Sequence, residues 1–158
     1  MFHLIPPPAH RLGLRIVHAI RLRFRRLVKP DLAGVAVLLR DEAGRVLLVR
    51  HSYGPTGWAM PGGGMGGDED AADAARREMR EELGCELGSL ECVKVIEENL
   101  GGSPHTAHIF IARPMSEPRV DNRELVDARW FAPHELGEQA LTRLTAQRLR
   151  QMGLLEKR

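Results

Sequence analysis

Residues 63–85 read GGMGGDEDAADAARREMREELGC, and the rest of the chain is best understood outward from this stretch. Its second half has a helical pattern. Asp68 or Asp70 can cap a helix that runs through AADAARREMREEL until Gly84 stops it. On such a helix Glu78 and Glu82 are four residues apart and Glu81 is three from Glu78, so the three carboxylates share one face. Like charges at that spacing repel unless a cation sits on them. Hard oxygen donors of this kind suit Mg2+ or Mn2+, which combine a few carboxylates with waters and phosphate oxygens. Taken alone, the acidic face also reads as a solvated surface paired with the neighbouring arginines. The glycines change that balance: Gly62, Gly63 and Gly64 allow close approach of a ligand just before a helix N-terminus.

On either side of this segment the chain has the period of strands. LAGVAVLLR, the turn DEAG and RVLLVRH read as a hairpin rich in Val and Leu, followed by the loop SYGPTG. Beyond Cys85 a strand is expected over residues 89–99, then a Gly-Gly-Ser-Pro turn and the strand HTAHIFIAR. A short strand around Ala128 to Phe131 and a helix near residues 139–152 finish the chain. Strands before, around and after a central helix indicate a mixed α/β or α+β domain with the sheet between helices.

The length of 158 residues suits one domain with a core of its own. With 43% hydrophobic and 28% charged residues, a disordered or low-complexity chain is excluded. Cys85 and Cys92 are too few for a disulfide framework or zinc cluster and fit a reducing compartment, the cytoplasm. The formal net charge of +2 conceals two unlike parts. Residues 1–30 carry Arg11, Arg15, Arg21, Arg23, Arg25, Arg26 and Lys29 with no acid, so residues 31–158 are net acidic. Overall basicity is therefore no argument for nucleic-acid binding.

Residues 1–30 are expected to form a basic amphipathic extension, helical from Ala9 to Val28, ahead of a single domain at residues 31–158. Three readings of its apolar stripe are open. It can pack on its own domain or on a second subunit, giving a homodimer; lie on an anionic membrane surface; or contact RNA, for which Phe24 alone offers stacking. No run reaches the length of a membrane span.

Gly63, Glu69, Arg77, Glu78, Met79, Glu81, Glu82, Gly84 and Cys85 stand at the fixed positions of a known pattern, G-x5-E-x7-R-E-U-x-E-E-x-G-U, where U is bulky and aliphatic. This resembles the Nudix box, and Cys85 is its one mild departure. The preceding Trp58-Ala-Met-Pro61-Gly-Gly looks like the family's usual entry to the box, and the resemblance extends over roughly residues 33–150. It implies an α/β/α sandwich around a mixed sheet and a hydrolase of the MutT-like kind that acts on a nucleoside diphosphate linked to another group. Carried over by position, Glu78 and Glu82 resemble the main metal ligands, with Glu81 a third and the Gly63 carbonyl a further one. Arg77 resembles the residue that orients the glutamates and Glu69 its partner.

The resemblance also implies attack on a pyrophosphate by water acidified by Mg2+ or Mn2+, with Glu78 or an acid on a distant loop taking the proton. Glu97, Glu98, Glu117 and Glu124 are available for the second option. Where the family commonly has an acid and Pro-Gly before the first glutamate, this chain has Gly66, Gly67 and Asp68, which is expected to loosen the loop without abolishing activity. For substrate binding the candidates are Gly62, Gly63 and Gly64 for phosphate and Tyr53, which can stack on a base or anchor its loop. Trp58, Phe110, Trp130 and Phe131 are expected in the core. The alternative to an enzyme is a regulatory Nudix domain that binds a nucleotide without turnover, against which the complete carboxylate set argues.

Overall fold

The computed structural model describes residue 13, residues 32–120 and residues 122–156. The basic helix expected over residues 9–28 lies outside these, apart from Gly13, which is helical. In chain order the elements are β1 (Leu32–Leu39), β2 (Val46–His51), β3 (Gly62–Gly64), α1 (Ala71–Leu83), β4 (Leu87–Leu100), β5 (Ser103–Pro114), β6 (Leu125–Phe131), a 3-10 turn (Pro133–Glu138) and α2 (Arg143–Gln151). Four strands form a mixed sheet in the order β3-β1-β5-β4, with β1 parallel to β5 and the other pairs antiparallel. β2 and β6 form a separate antiparallel pair. Among the described residues no helix is long and apolar enough to cross a membrane.

The expected β1–β2 hairpin is corrected by this arrangement. Its turn does form: Asp41 accepts from the Arg45 backbone N–H at 2.8 Å and from Arg45 Nε at 2.7 Å, and one bridge joins Arg40 to Val46. Beyond that bridge the strands part, β1 toward β5 and β2 toward β6. Both strands are apolar on both faces, so each must be covered from two sides. Val35, Val37, Leu39, Leu47 and Val49 enter one core cluster, while Ala36, Leu38, Val46 and Leu48 enter the other.

The central helix forms as its sequence predicts. Asp70 accepts from the backbone N–H groups of Ala72 and Asp73 at its N-terminus, and Gly84 ends it at φ 59 in the left-handed region. Ala74, Ala75, Met79 and Leu83 are buried against the first cluster, which leaves Glu78 and Glu82 beside β3. The final helix is shorter than expected. Pro133 starts a 3-10 turn, and α2 begins only after Thr142, whose hydroxyl accepts from the Thr145 N–H at 3.3 Å. Its Leu149 joins the second cluster, on the opposite face of the sheet from α1. Trp58 and Phe110 are fully in the core, and Phe131 and Trp130 pack against it in part.

Polar side chains also tie α2 to the sheet. Glu98 on β4 pairs with His105 on β5, and both share the face of Ile96 and Ala107, toward α2. The Glu98 carboxylate accepts from Arg148 Nη2, from Arg148 Nε at 3.3 Å and from His105 Nδ1 at 2.9 Å. Burial pushes the Glu98 pKa up, but the hydrogen bonds from His105 and Arg148 more than offset it, so it lies below the ordinary value of 4.5. A group depressed in this way stabilises the fold fully above its ordinary value, and that contribution is lost as pH falls through the folded one. Glu98→Gln is therefore expected to flatten the acid limb of the unfolding curve, as followed by circular dichroism. Arg148→Met, which leaves the carboxylate buried without its guanidinium, is expected to cost ~3–5 kcal/mol in urea unfolding near neutral pH.

Candidate active site

The three glycines of β3 lie at the edge of the four-stranded sheet, and the acidic face of α1 comes down on them. A side chain at Gly62 would drive its Cβ into the Val35 carbonyl oxygen. One at Gly63 would meet the Glu78 carboxylate, with the carboxyl carbon and Oε1 both at 2.5 Å. Only glycine allows Glu78 to lie this close to the strand. Glu82 is 5% exposed, and its Oε2 accepts from the Gly62 backbone N–H at 3.0 Å. Helix and strand are thus joined through carboxylate and backbone.

Arg77 organises the acids around it. Its Nε and Nη2 hold Glu69 in a two-point pair at 2.8 and 3.1 Å. Nη1 donates to Glu78 Oε1 at 2.7 Å and more weakly to Glu81 Oε2 at 3.5 Å, and Nη2 also donates to the Gly64 carbonyl at 2.9 Å. Glu69 in turn accepts from the Gly66 N–H at 2.9 Å, which closes the loop that leads into α1. Hydrogen bonds from Arg77, and then from Gly66, bring Glu69 down to about 2. The hydrogen bond with Glu69, and then that with Glu78, pushes Arg77 above the usual guanidinium range.

Glu78 is shifted the other way. Burial raises it first; Arg77 opposes the rise, and the charges of Glu81 and Glu124 add to it. Glu78 and Glu82 are turned inward, whereas the Glu81 side chain is 63% exposed.

The four acids outside the helix end up in different places. Glu97 accepts from the Thr106 hydroxyl, and Glu117 accepts from Trp130 Nε1 at 3.3 Å. Glu98 is committed to Arg148 on the far face of the sheet. Glu124 is the one of the four whose charge acts on Glu78. Its position is set by β2: the Ser52 N–H donates to the Glu124 carbonyl at 2.8 Å and the Ser52 hydroxyl to the Arg123 carbonyl at 2.6 Å. Tyr53 follows in the same loop, its ring edge-on to His51 at 5.9 Å. No local sequence signal distinguishes Glu124, because its approach depends on the pairing of β2 with β6.

Among the described residues no three His, Cys, Asp or Glu side chains converge into a ready metal cage. The donors beside β3 are carboxylates and backbone carbonyls on an open edge. Such a set fits a hard divalent cation that keeps waters and takes phosphate oxygens, rather than one held by protein alone. Carboxylates over a glycine strand, braced by one arginine, are donors of the kind that suit a divalent metal and phosphate oxygens.

The NUDIX domain family model matches residues 30–152, and the chain belongs to the Nudix family. It is 33% identical over 123 residues to the RNA pyrophosphohydrolase of Acidiphilium cryptum, covering 74% of this chain and 68% of that one. The RNA pyrophosphohydrolase of Rhodospirillum rubrum is 42% identical over 55 residues, 35% of this chain and 33% of that one. In the crystal structure of the MutT NUDIX hydrolase from Burkholderia pseudomallei the fold recurs with a TM-score of 0.69 at 29% identity, over 77% of this chain and 98% of the other. By this kinship the chain is a Nudix pyrophosphohydrolase.

Two substitutions test the site's geometry. Gly63→Ala is expected to displace the Glu78 carboxylate and lower kcat/KM while leaving thermal stability near that of the parent. Glu69→Gln removes the charge that fixes Arg77 and is expected to weaken Mn2+ binding about 10- to 100-fold, read by titration.

Proposed function

We propose that the chain hydrolyses a pyrophosphate bond in a nucleoside diphosphate linked to another group, with Mg2+, or Mn2+ in its place, as cofactor. The observation that carries this reading is the approach of Glu78 and Glu82 to the Gly62–Gly63 backbone. Glu78, Glu82, Glu81 and the Gly63 carbonyl would hold the cation. When bound, it neutralises pyrophosphate oxygens and acidifies a water.

The chain's own groups do the rest. Arg77, fixed by Glu69, keeps Glu78 and Glu81 oriented and offsets part of their mutual repulsion. The glycine strand leaves space for phosphate oxygens to reach the backbone, and Tyr53, beside the segment bearing Glu124, contacts the base. Glu78 and Glu124 are the two candidates for accepting the proton of the attacking water. The names of the curated relatives make a 5′-pyrophosphate on RNA the first substrate to try. Residues 31–158 act as the catalytic unit, with residues 1–30 as an appendage. Free thiols at Cys85 and Cys92 support a cytoplasmic setting.

The test is product release from a panel of 5′-triphosphorylated RNA, dinucleoside polyphosphates, nucleotide sugars and nucleoside triphosphates, with Mg2+ and with chelator. Turnover with Mg2+ is expected to fall by more than about 100-fold in Glu82→Gln, a larger loss than for residues that act only through the ligands. Binding without turnover on every member would instead make this a nucleotide-sensing domain. Comparison of Glu124→Gln with Glu78→Gln across pH decides the base: the variant that loses the acidic limb of kcat while still binding Mn2+ has lost the proton acceptor.

A further inference from the structure

The far side of the glycine strand carries a feature that the proposed reaction does not use. A side chain at Gly34 on β1 would have its Cβ 2.8 Å from the Gly63 carbonyl oxygen and 2.9 Å from His105 Nε2. The gap left by that missing side chain is therefore shared by the backbone of β3 and the edge of the His105 ring. Gly34 shares a face with Ala36 and Leu38, so this gap is on the α2 side, opposite the carboxylates of α1. His105 is not loose there. Glu98 accepts at its Nδ1 and is held in turn by Arg148, and the three side chains are only 7%, 1% and 10% exposed. An ionised Glu98 has no proton to donate, so Nδ1 carries the ring's hydrogen and Nε2 lies toward Gly34.

We propose that His105, fixed by Glu98 and Arg148, is a positioning residue that braces β3 from behind and keeps Gly63 under the Glu78 carboxylate. β3 needs such support for a physical reason. It is three glycines long, at a sheet edge, paired only with β1, and has no side chains to pack. Glu78 lies against it from the front, and Glu82 is bonded to it there. Its pairing with β1 is only three residues long, and its hydrogen bonds with side chains, between Gly62 and Glu82 and between Gly64 and Arg77, both come from the α1 side. The brace connects α2, through Arg148, to a site formed by α1. Its effect on metal binding rests on the reading proposed above for Glu78, Glu82 and Gly63; its effect on the strand does not.

The test compares His105→Ala, His105→Gln and, as a control, Leu136→Ala, which removes a buried side chain from the same core cluster without touching the network. Three quantities are read on the full chain: thermal midpoint, amide exchange at Gly62, Gly63 and Gly64 without metal, and the Mn2+ dissociation constant by titration of free ion. His105→Ala is expected to speed exchange at Gly63 and Gly64 beyond the control at matched stability and to weaken Mn2+ binding about 10-fold. His105→Gln, which can still donate to Glu98, is expected to restore most of both. Parent-like exchange at β3 and parent-like Mn2+ affinity in His105→Ala would overturn the brace, whatever happens to the midpoint. If the parent itself does not bind Mn2+, the metal reading fails, and the exchange at β3 still decides the brace. Should His105→Ala not fold, His105→Asn carries the same test, since its shorter side chain does not reach the gap at Gly34 and leaves the β3 backbone untouched; unchanged exchange and affinity there overturn the proposal equally.

Discussion

Everything at the site depends on a carboxylate helix lying directly on a backbone that has no side chains. Glu78 occupies the space that a Cβ at Gly63 would fill, and Glu82 takes the N–H of Gly62. Buried or half-buried carboxylates are costly unless their oxygens are bonded. Here the bonds come from strand backbone and from Arg77, so the candidate site is held on secondary structure rather than on loops.

The charge balance follows from that contact. Arg77 fully engages Glu69 and only partly satisfies Glu78 and Glu81. Glu69 is consequently a strong acid whose role is to hold the arginine, while Glu78 remains under repulsion from Glu81 and Glu124. One arginine thus divides a set of similar glutamates into those that fix geometry and those left with unsatisfied negative charge. That residual charge is what a divalent cation would relieve.

The sheet separates two kinds of polar structure. On the α1 side the acids are partly open and mutually repelling. On the α2 side Glu98, His105 and Arg148 form a closed, neutralised network. Glu98 has the same side chain as the site acids and comes from a strand that looked equally available, yet it serves packing. The difference is the face of β4 on which it falls, since neighbouring Glu97 points the other way and bonds to Thr106.

Much of the site was legible locally because its geometry is local. Spacing of three and four residues puts Glu78, Glu81 and Glu82 together on any α-helix, Asp70 and Gly84 mark its ends by their own chemistry, and the glycine run announces a close approach. Strand segments were visible too, but their partners were not. The Asp41–Arg45 turn is real, yet β1 and β2 belong to different sheets, because two strands apolar on both faces are each buried from both sides. The start of α2 was misplaced for a local reason, the capping hydroxyl of Thr142 after a 3-10 turn. Tertiary structure alone decided which distant groups meet. β2 pairing with β6 brings Glu124 to Glu78, and β4 pairing with β5 joins Glu98 to His105. Sequence spacing determines contacts within one helix turn, whereas contacts between strands depend on a register set by the whole core.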